Sequence, residues 1–409
     1  MTTYAATVFA ALAGFTARVD ATARAAETAE IRIRTHYDSG IAAPTTIAAD
    51  RVTFDFREIV FPYLDCELSC SPCPLKLTLW LNARGTLFYA HQGLYVSRDG
   101  VDFTLQPLTK IRESRREANT AGKRETVTDT EFEAVVVVPP GGRLRVATSD
   151  PYGRDHLEEL LCATNGGGGR WRSLRRENRT VLLFEIGEDD GRKPIHTIIA
   201  GEDSRETEGK WVADRMIRNL AADPTLARTA TQHAILRICP MLSPYTSSTP
   251  GHNSYASPGD GRDAYGAAKW NLDPSPPEIE LLKELIVESV RQRRLGLVLT
   301  IHSWWAGKPF TEIETIKQAG ANTLTPERQE WARATMRTLT EGVPHARTLL
   351  ADKAWYPGLL REFALARHNA ITFRMEVTTQ NQTQTRGAAT AAALVTNLAR
   401  LRDLGPVLE

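Results

Sequence analysis

Three apolar, strand-like runs in the second half of the chain constrain its fold most, because each ends at or just before a titratable side chain. They are Ile198-Ile-Ala-Gly-Glu-Asp203, Leu299-Thr-Ile-His302 and Ile371-Thr-Phe-Arg-Met-Glu376. Further strand-like runs lie at Val181–Ile186, His196–Ala200, Ala234–Cys239 and Leu297–Ile301, with helical periodicity at Lys210–Leu220 and Glu278–Arg294. Strands alternating with helices predict a layered α/β domain: a mixed, mostly parallel sheet flanked by helices. In such sheets sites form at the carboxyl ends of strands. Asp203, His302 and Glu376 all fall there.

The first third reads differently. Leu75–Leu81 alternates apolar and polar residues, and Thr86–Ala90, Val101–Leu105, Glu131–Val138 and Arg143–Ala147 are short runs separated by turn residues. This pattern predicts an antiparallel β-sandwich. Lys110 to Thr130 is charged and lacks periodicity, so an exposed loop is expected there. Pro151-Tyr-Gly-Arg then leads into a helix at His156–Leu161. A chain of 409 residues exceeds one ordinary core. The expected division is residues 1–30, a sandwich over 31–150 and the α/β domain over 151–409.

Composition narrows the partners. Fifty Lys plus Arg against 49 Asp plus Glu leave a net charge of +1, which argues against nucleic acid. No apolar run is long enough to span a bilayer. The glycines of Asn165–Gly169 lack the Lys-Ser or Lys-Thr of a phosphate loop. Tyr4–Phe15 fits the apolar core of a secretory signal ending near residue 25, or an amphipathic helix through about Glu30. The absence of Lys or Arg before it points to the helix and a cytoplasmic protein. Oligomeric state is not encoded in any pattern of this chain.

Asp203 and Glu206 sit three apart on a turn, where two carboxylates converge only with a metal or a raised pKa. Glu376 lies inside an apolar strand, where an unpartnered carboxylate is costly. A short-spaced acidic pair, a distant histidine and a further glutamate form the parts list of a hydrolytic metal site. Three ligands hold the ion, and the fourth group is the general base.

In this order the motifs resemble the zinc carboxypeptidase family, most of all its cytosolic carboxypeptidase branch, which carries a β-sandwich before the catalytic domain. Asp203-Ser-Arg-Glu206 stands where the family has His-x-x-Glu. Ile238–Pro244 resembles the strand ending in the family's Asn-Pro-Asp-Gly turn, and Ser275-Pro-Pro-Glu278 its Ser-x-Pro-Glu helix start. Ile301-His302-Ser303 matches the third-ligand strand, and Phe373-Arg-Met-Glu376 the strand of the catalytic glutamate. Ala147–Tyr152 resembles the branch's Tyr-Pro-Tyr junction. The resemblance implies one divalent ion, zinc or manganese, on Asp203, Glu206 and His302, with Glu376 as base. It implies hydrolysis of a peptide or related amide.

Three departures accompany it. Asp203 replaces a histidine ligand. Tyr265 stands where the family has an aspartate beside that ligand, and its hydroxyl could donate to Asp203. Ala267-Ala268 replace the Asn-Arg pair that grips a terminal carboxylate, leaving Lys269, Asn271 or Arg262 as substitutes. Tyr356 matches a tyrosine the family often carries on a nearby loop, and Trp304 and Trp305 are expected to line the pocket. The alternative is a binding or scaffold protein on an inactive carboxypeptidase-like domain.

Cys66-Glu-Leu-Ser-Cys70-Ser-Pro-Cys73 has the spacing of radical S-adenosylmethionine proteins, which hold an iron–sulfur cluster on three thiolates. That chemistry needs a parallel barrel after the motif, whereas Leu75 onward alternates. A disulfide-bearing hairpin or a thiol-rich loop are the competing readings.

Overall fold

The computed structural model of the chain describes residues 30–34, 45–48, 50–56, 64–71, 75–84, 93–120, 123–139, 142–148, 150–177, 179–202, 206–242, 270–303, 310–354, 358–377 and 386–401. The runs at Tyr4–Phe15 and Thr86–Ala90 lie outside them.

Before Asp150 the described strands are β1 (Glu30–Arg34), β2 (Thr45–Ala48), β3 (Arg51–Phe56), β4 (Asp65–Ser71), β5 (Leu75–Arg84), β6 (Gly93–Ser97), β7 (Thr104–Pro107), β8 (Thr109–Thr120), β9 (Lys123–Val138) and β10 (Arg143–Ala147). They form two five-stranded sheets, ordered β1-β4-β10-β6-β7 and β2-β3-β5-β9-β8. Alternation in β5 works as expected: Leu77, Leu79 and Leu81 are buried against Phe132, Ala134, Val136 and Val138 of β9 and Leu68 and Val146 of the facing sheet. One pairing departs from the all-antiparallel expectation, since β3 and β5 run parallel. The chain passes through β4 in the other sheet between them, which gives the crossover that a parallel pair needs.

Lys110 to Thr130 is not a loop. It forms most of the long β8–β9 hairpin, paired from Thr109↔Glu133 to Thr120↔Lys123. Apolar periodicity is missing because residues 109–117 of β8 are exposed apart from the half-buried Arg116, while the buried positions facing them on β9 include the polar Asp129 and Thr130. Cross-strand polar pairs hold it instead, as in Arg112–Glu131 and Arg116–Asp129 and the Thr126 hydroxyl donating to Glu117 at 2.7 Å.

The remaining strands, apart from a two-stranded ribbon of β17 (Gln318–Ala319) and β18 (Asn322–Thr323), build one eight-stranded sheet. They are β11 (Arg170–Arg176), β12 (Arg179–Ile186), β13 (Ile195–Ala200), β14 (Ile235–Cys239), β15 (Leu295–Ser303), β16 (Thr311–Ile316), β19 (Ala346–Ala351) and β20 (Phe373–Val377). Their order is β11-β12-β14-β13-β15-β20-β16-β19. Pairing is parallel along β14-β13-β15-β20 and at β16–β19. It is antiparallel at β11–β12, β12–β14 and β20–β16.

Helices α1 (Arg154–Thr164), α2 (Thr207–Ala222), α3 (Pro224–Ala230), α4 (Pro277–Arg291), α5 (Pro326–Thr340), α6 (Leu360–His368) and α7 (Arg386–Leu398) accompany the sheet. The apolar face of α2, with Val212, Met216, Ile217 and Leu220, packs with Ile198, Leu299 and Phe373 of the central strands. Ile279 and Leu282 of α4 pack with Ile199 and Val298 in a second cluster. Burial on both faces explains why β13, β15 and β20 read as continuous apolar runs. These three are adjacent and parallel, so their carboxyl ends meet at the middle of the sheet.

Candidate functional site

Where β13 ends, Gly201 takes φ +71°, and a Cβ there would lie 3.1 Å from Met241 Cα. That left-handed residue turns the chain so that the next side chain, Glu202, is buried. The chain re-emerges at Glu206, the residue before the first turn of α2. A carboxylate at a helix N-terminus meets the favourable end of the helix dipole. Gly209 brings that first turn onto β15: a Cβ would stand 2.5 Å from the Ile301 carbonyl oxygen. The Gly209 N–H donates to the Ser303 hydroxyl at 3.1 Å, and the Ser303 N–H donates to Glu206 Oε2 at 3.2 Å.

His302 sits between two carboxylates. Its Nδ1 is 2.6 Å from Glu206 Oε2 and its Nε2 is 2.7 Å from Glu202 Oε2. The other oxygen of Glu202, Oε1, accepts the indole N–H of Trp270 at 2.7 Å. Glu376 stands beside His302, its register partner across β15 and β20. Two residues earlier on the same face of β20, Arg374 contacts Glu376 Oε1. Arg374 also reaches Glu314 of β16 at 3.7 Å, and Arg361 of α6 pairs with Glu314 at 2.8 Å. A small cavity lined by Glu202, Thr300, His302, Arg361 and Arg374 lies beneath the histidine.

Burial pushes the Glu376 carboxyl up to about 8; Arg374 and His302 oppose the shift, whereas Glu206 and Glu314 add to it. Burial likewise lowers Arg361, to about 10, against the pull of Glu314. Among the described residues, the carboxyl groups of Glu202, Glu206, Glu314 and Glu376 lie with two guanidinium groups, those of Arg361 and Arg374.

Of the residues singled out in the sequence, Glu206, His302 and Glu376 are brought together. Asp203, Arg262, Tyr265, Lys269, Trp304, Trp305 and Tyr356 lie outside the described residues. Asn271 is exposed and donates to Glu362 at 3.2 Å. Among the described residues no three His, Cys, Asp or Glu side chains converge as a metal cage. Sequence reasoning passed over Glu202, Arg361, Arg374 and Glu314. The one signal for Glu202 was its place at the end of a buried strand, beside the more conspicuous Asp203.

The donor set fits a cation. A carboxylate cannot donate, so a neutral imidazole must direct its one N–H to one of its two carboxylate neighbours and a lone pair to the other. With a carboxylate on each ring nitrogen, His302 calls for positive charge, which a second ring proton or a cation between Nδ1 and Glu206 would supply.

The cysteine motif does not assemble an iron–sulfur site. Cys66 is buried in the sandwich core, where burial pushes its thiol pKa up, and Cys70 is disulfide-bonded. Of the three thiols, one is thus tied up in a disulfide and another is a free thiol buried in the core. Cys73 lies outside the described residues.

The architecture, an α/β domain with a largely parallel sheet behind a β-sandwich, is a zinc carboxypeptidase-like fold. A metallo-carboxypeptidase from Burkholderia cenocepacia superposes with a TM-score of 0.71 at 15% identity, over 91% of this chain and 98% of that one. A metallo-carboxypeptidase from Pseudomonas aeruginosa, solved with (2-guanidinoethylmercapto)succinic acid, gives 0.67 at 16% identity, over 90% and 98%. No protein-family model matches the sequence, and no curated protein matches it. At such identities the likeness carries the fold alone, so the chemistry rests on the side chains. Among the described residues, no helix is long and apolar enough to cross a membrane.

Proposed function

We propose that the chain is a metal-dependent hydrolase acting on a peptide or related amide bond. Glu206 and His302, with Asp203 of the sequence motif, would hold one divalent ion, zinc or manganese. The observation that carries this reading is His302 Nδ1 meeting Glu206 Oε2 at 2.6 Å, beside Glu376 at the carboxyl ends of parallel strands. When bound, the ion would polarise the amide carbonyl and make water a nucleophile near neutral pH.

The protein's own groups do the rest. Glu376 takes the proton of the attacking water and delivers it to the leaving nitrogen. A carboxyl pushed up to about 8 by burial suits a group that must both accept and release a proton near neutrality. The contact with Arg374 restrains the carboxylate through one oxygen. Loss of the family's Asn-Arg pair, replaced by Ala267-Ala268, favours substrates without a demand for a free terminal carboxylate.

The experiment is Glu376→Gln assayed on a panel of peptides and amides. Turnover falls by about 100-fold or more while bound metal is retained. Full activity in that variant would refute the assignment. A second reading, a binding protein on an inactive domain, draws on the Arg374 contact, which occupies the base. A wild-type chain that hydrolyses nothing on the panel yet binds peptides would establish it.

A further inference from the structure

We infer that Glu202, itself held by Trp270, is a positioning residue that sets the ring orientation of His302 for metal binding. The inference rests on the metal-site reading above and concerns residues outside the motif that suggested it.

Both oxygens of Glu202 are engaged, Oε2 by His302 Nε2 at 2.7 Å and Oε1 by the Trp270 indole at 2.7 Å. The Glu202 side chain is 2% exposed. With two nitrogen partners on its two oxygens, this carboxylate is occupied as an acceptor and is poorly placed to be a ligand. Because it cannot donate, Nε2 of His302 must carry hydrogen. Nδ1 faces Glu206 Oε2 at 2.6 Å, so the ring is fixed in the plane between the two carboxylates. Carboxylate–imidazole pairs of this kind lock a ligand's ring and raise its basicity.

Trp270 is locked in turn. It is fully buried in the cluster that contains Ile279 and Leu282, its ring lies 6.2 Å from that of Phe363, and its backbone N–H donates to the Gly358 carbonyl at 2.9 Å. The indole therefore cannot swing away and release Glu202. The chain Trp270–Glu202–His302 runs from the α4 side of the core to the point where Glu206 stands.

The test uses the full chain, stripped of metal and titrated with Zn²⁺ against a chromophoric chelator, together with the Co²⁺ absorption spectrum. Glu202→Gln keeps the shape but places an amide where the carboxylate stood. Its Zn²⁺ affinity should fall by about 10- to 100-fold, with an altered Co²⁺ band. Trp270→Phe leaves the carboxylate in place, without its anchor, and should weaken Zn²⁺ binding by a smaller factor. A Glu202→Gln protein with wild-type affinity and an unchanged Co²⁺ band overturns the inference. If that variant fails to fold, wild-type affinity in Trp270→Phe overturns it instead. Failure of the underlying reading looks different: there, wild-type protein takes up no Zn²⁺, or Glu206→Gln takes it up as well as wild type does.

Discussion

Asp65 in the sandwich and Glu202, Glu314 and Glu376 around His302 are all buried, and they are treated in opposite ways. In the sandwich, Asp65 is fully buried, and Arg145 answers both of its oxygens, at 2.8 and 2.7 Å. The charge closes on itself across two adjacent strands, as a structural pair must. Around His302, Glu314 and Glu376 share Arg361 and Arg374, Glu202 and Glu206 flank the imidazole, and among the described residues Glu376 Oε2 has no hydrogen-bond partner. A locally balanced pair signals architecture. A cluster of carboxyl groups at the carboxyl ends of parallel strands is where a functional site is expected, and the metal-site reading proposed above rests on it.

Breaking the sandwich pair should give the largest change in stability. Arg145→Met removes the guanidinium that pairs with both oxygens of buried Asp65, at a cost of about 3–5 kcal/mol, read as a lowered midpoint in urea unfolding. If the variant is as stable as wild type, the two regions do not differ as claimed.

The next effect lies in the site and depends on pH. Glu376 is held at about 8 in the fold, against 4.5 ordinarily. A carboxyl raised in this way contributes stability that is complete below about pH 4.5 and is lost as pH rises through about 8. Metal-free protein should therefore lose several kcal/mol across that window, as an order-of-magnitude expectation. Glu376→Gln should flatten this part of the profile, measured as unfolding free energy against pH. An identical slope in wild type and variant would assign the loss to other groups.

The smallest effect belongs to the exposed hairpin. Arg112→Ala removes a partner of Glu131 whose side chain is 66% exposed. Surface pairs of this kind contribute about 0–1 kcal/mol, so the urea midpoint should scarcely move. A loss comparable to that of Arg145→Met would show that exposure does not separate the two kinds of pair.

Much of the fold was legible because burial writes itself into periodicity. Leu77, Leu79 and Leu81 marked β5, and the all-apolar runs marked β13, β15 and β20. The β8–β9 hairpin was illegible because residues such as Arg112, Arg116 and Glu117 find their partners across the strand, where no spacing in one sequence reveals them. The site was half legible. Glu206, His302 and Glu376 could be picked out because titratable groups at the ends of apolar runs are costly without a purpose. Glu202 could not be picked out, because only the turn at Gly201 shows that its side chain points inward. Arg361, Glu314 and Arg374 come from α6, β16 and β20, so only the folded chain shows that they balance one another.

The central claim is that the cluster around His302 is built to hold one divalent ion. Metal analysis after equilibrium dialysis against Zn²⁺, on wild type and on Glu206→Gln, tests it most directly. One ion per chain in wild type, lost in the variant, is the expected result. No bound metal in wild type, or the same single ion in both, would contradict it.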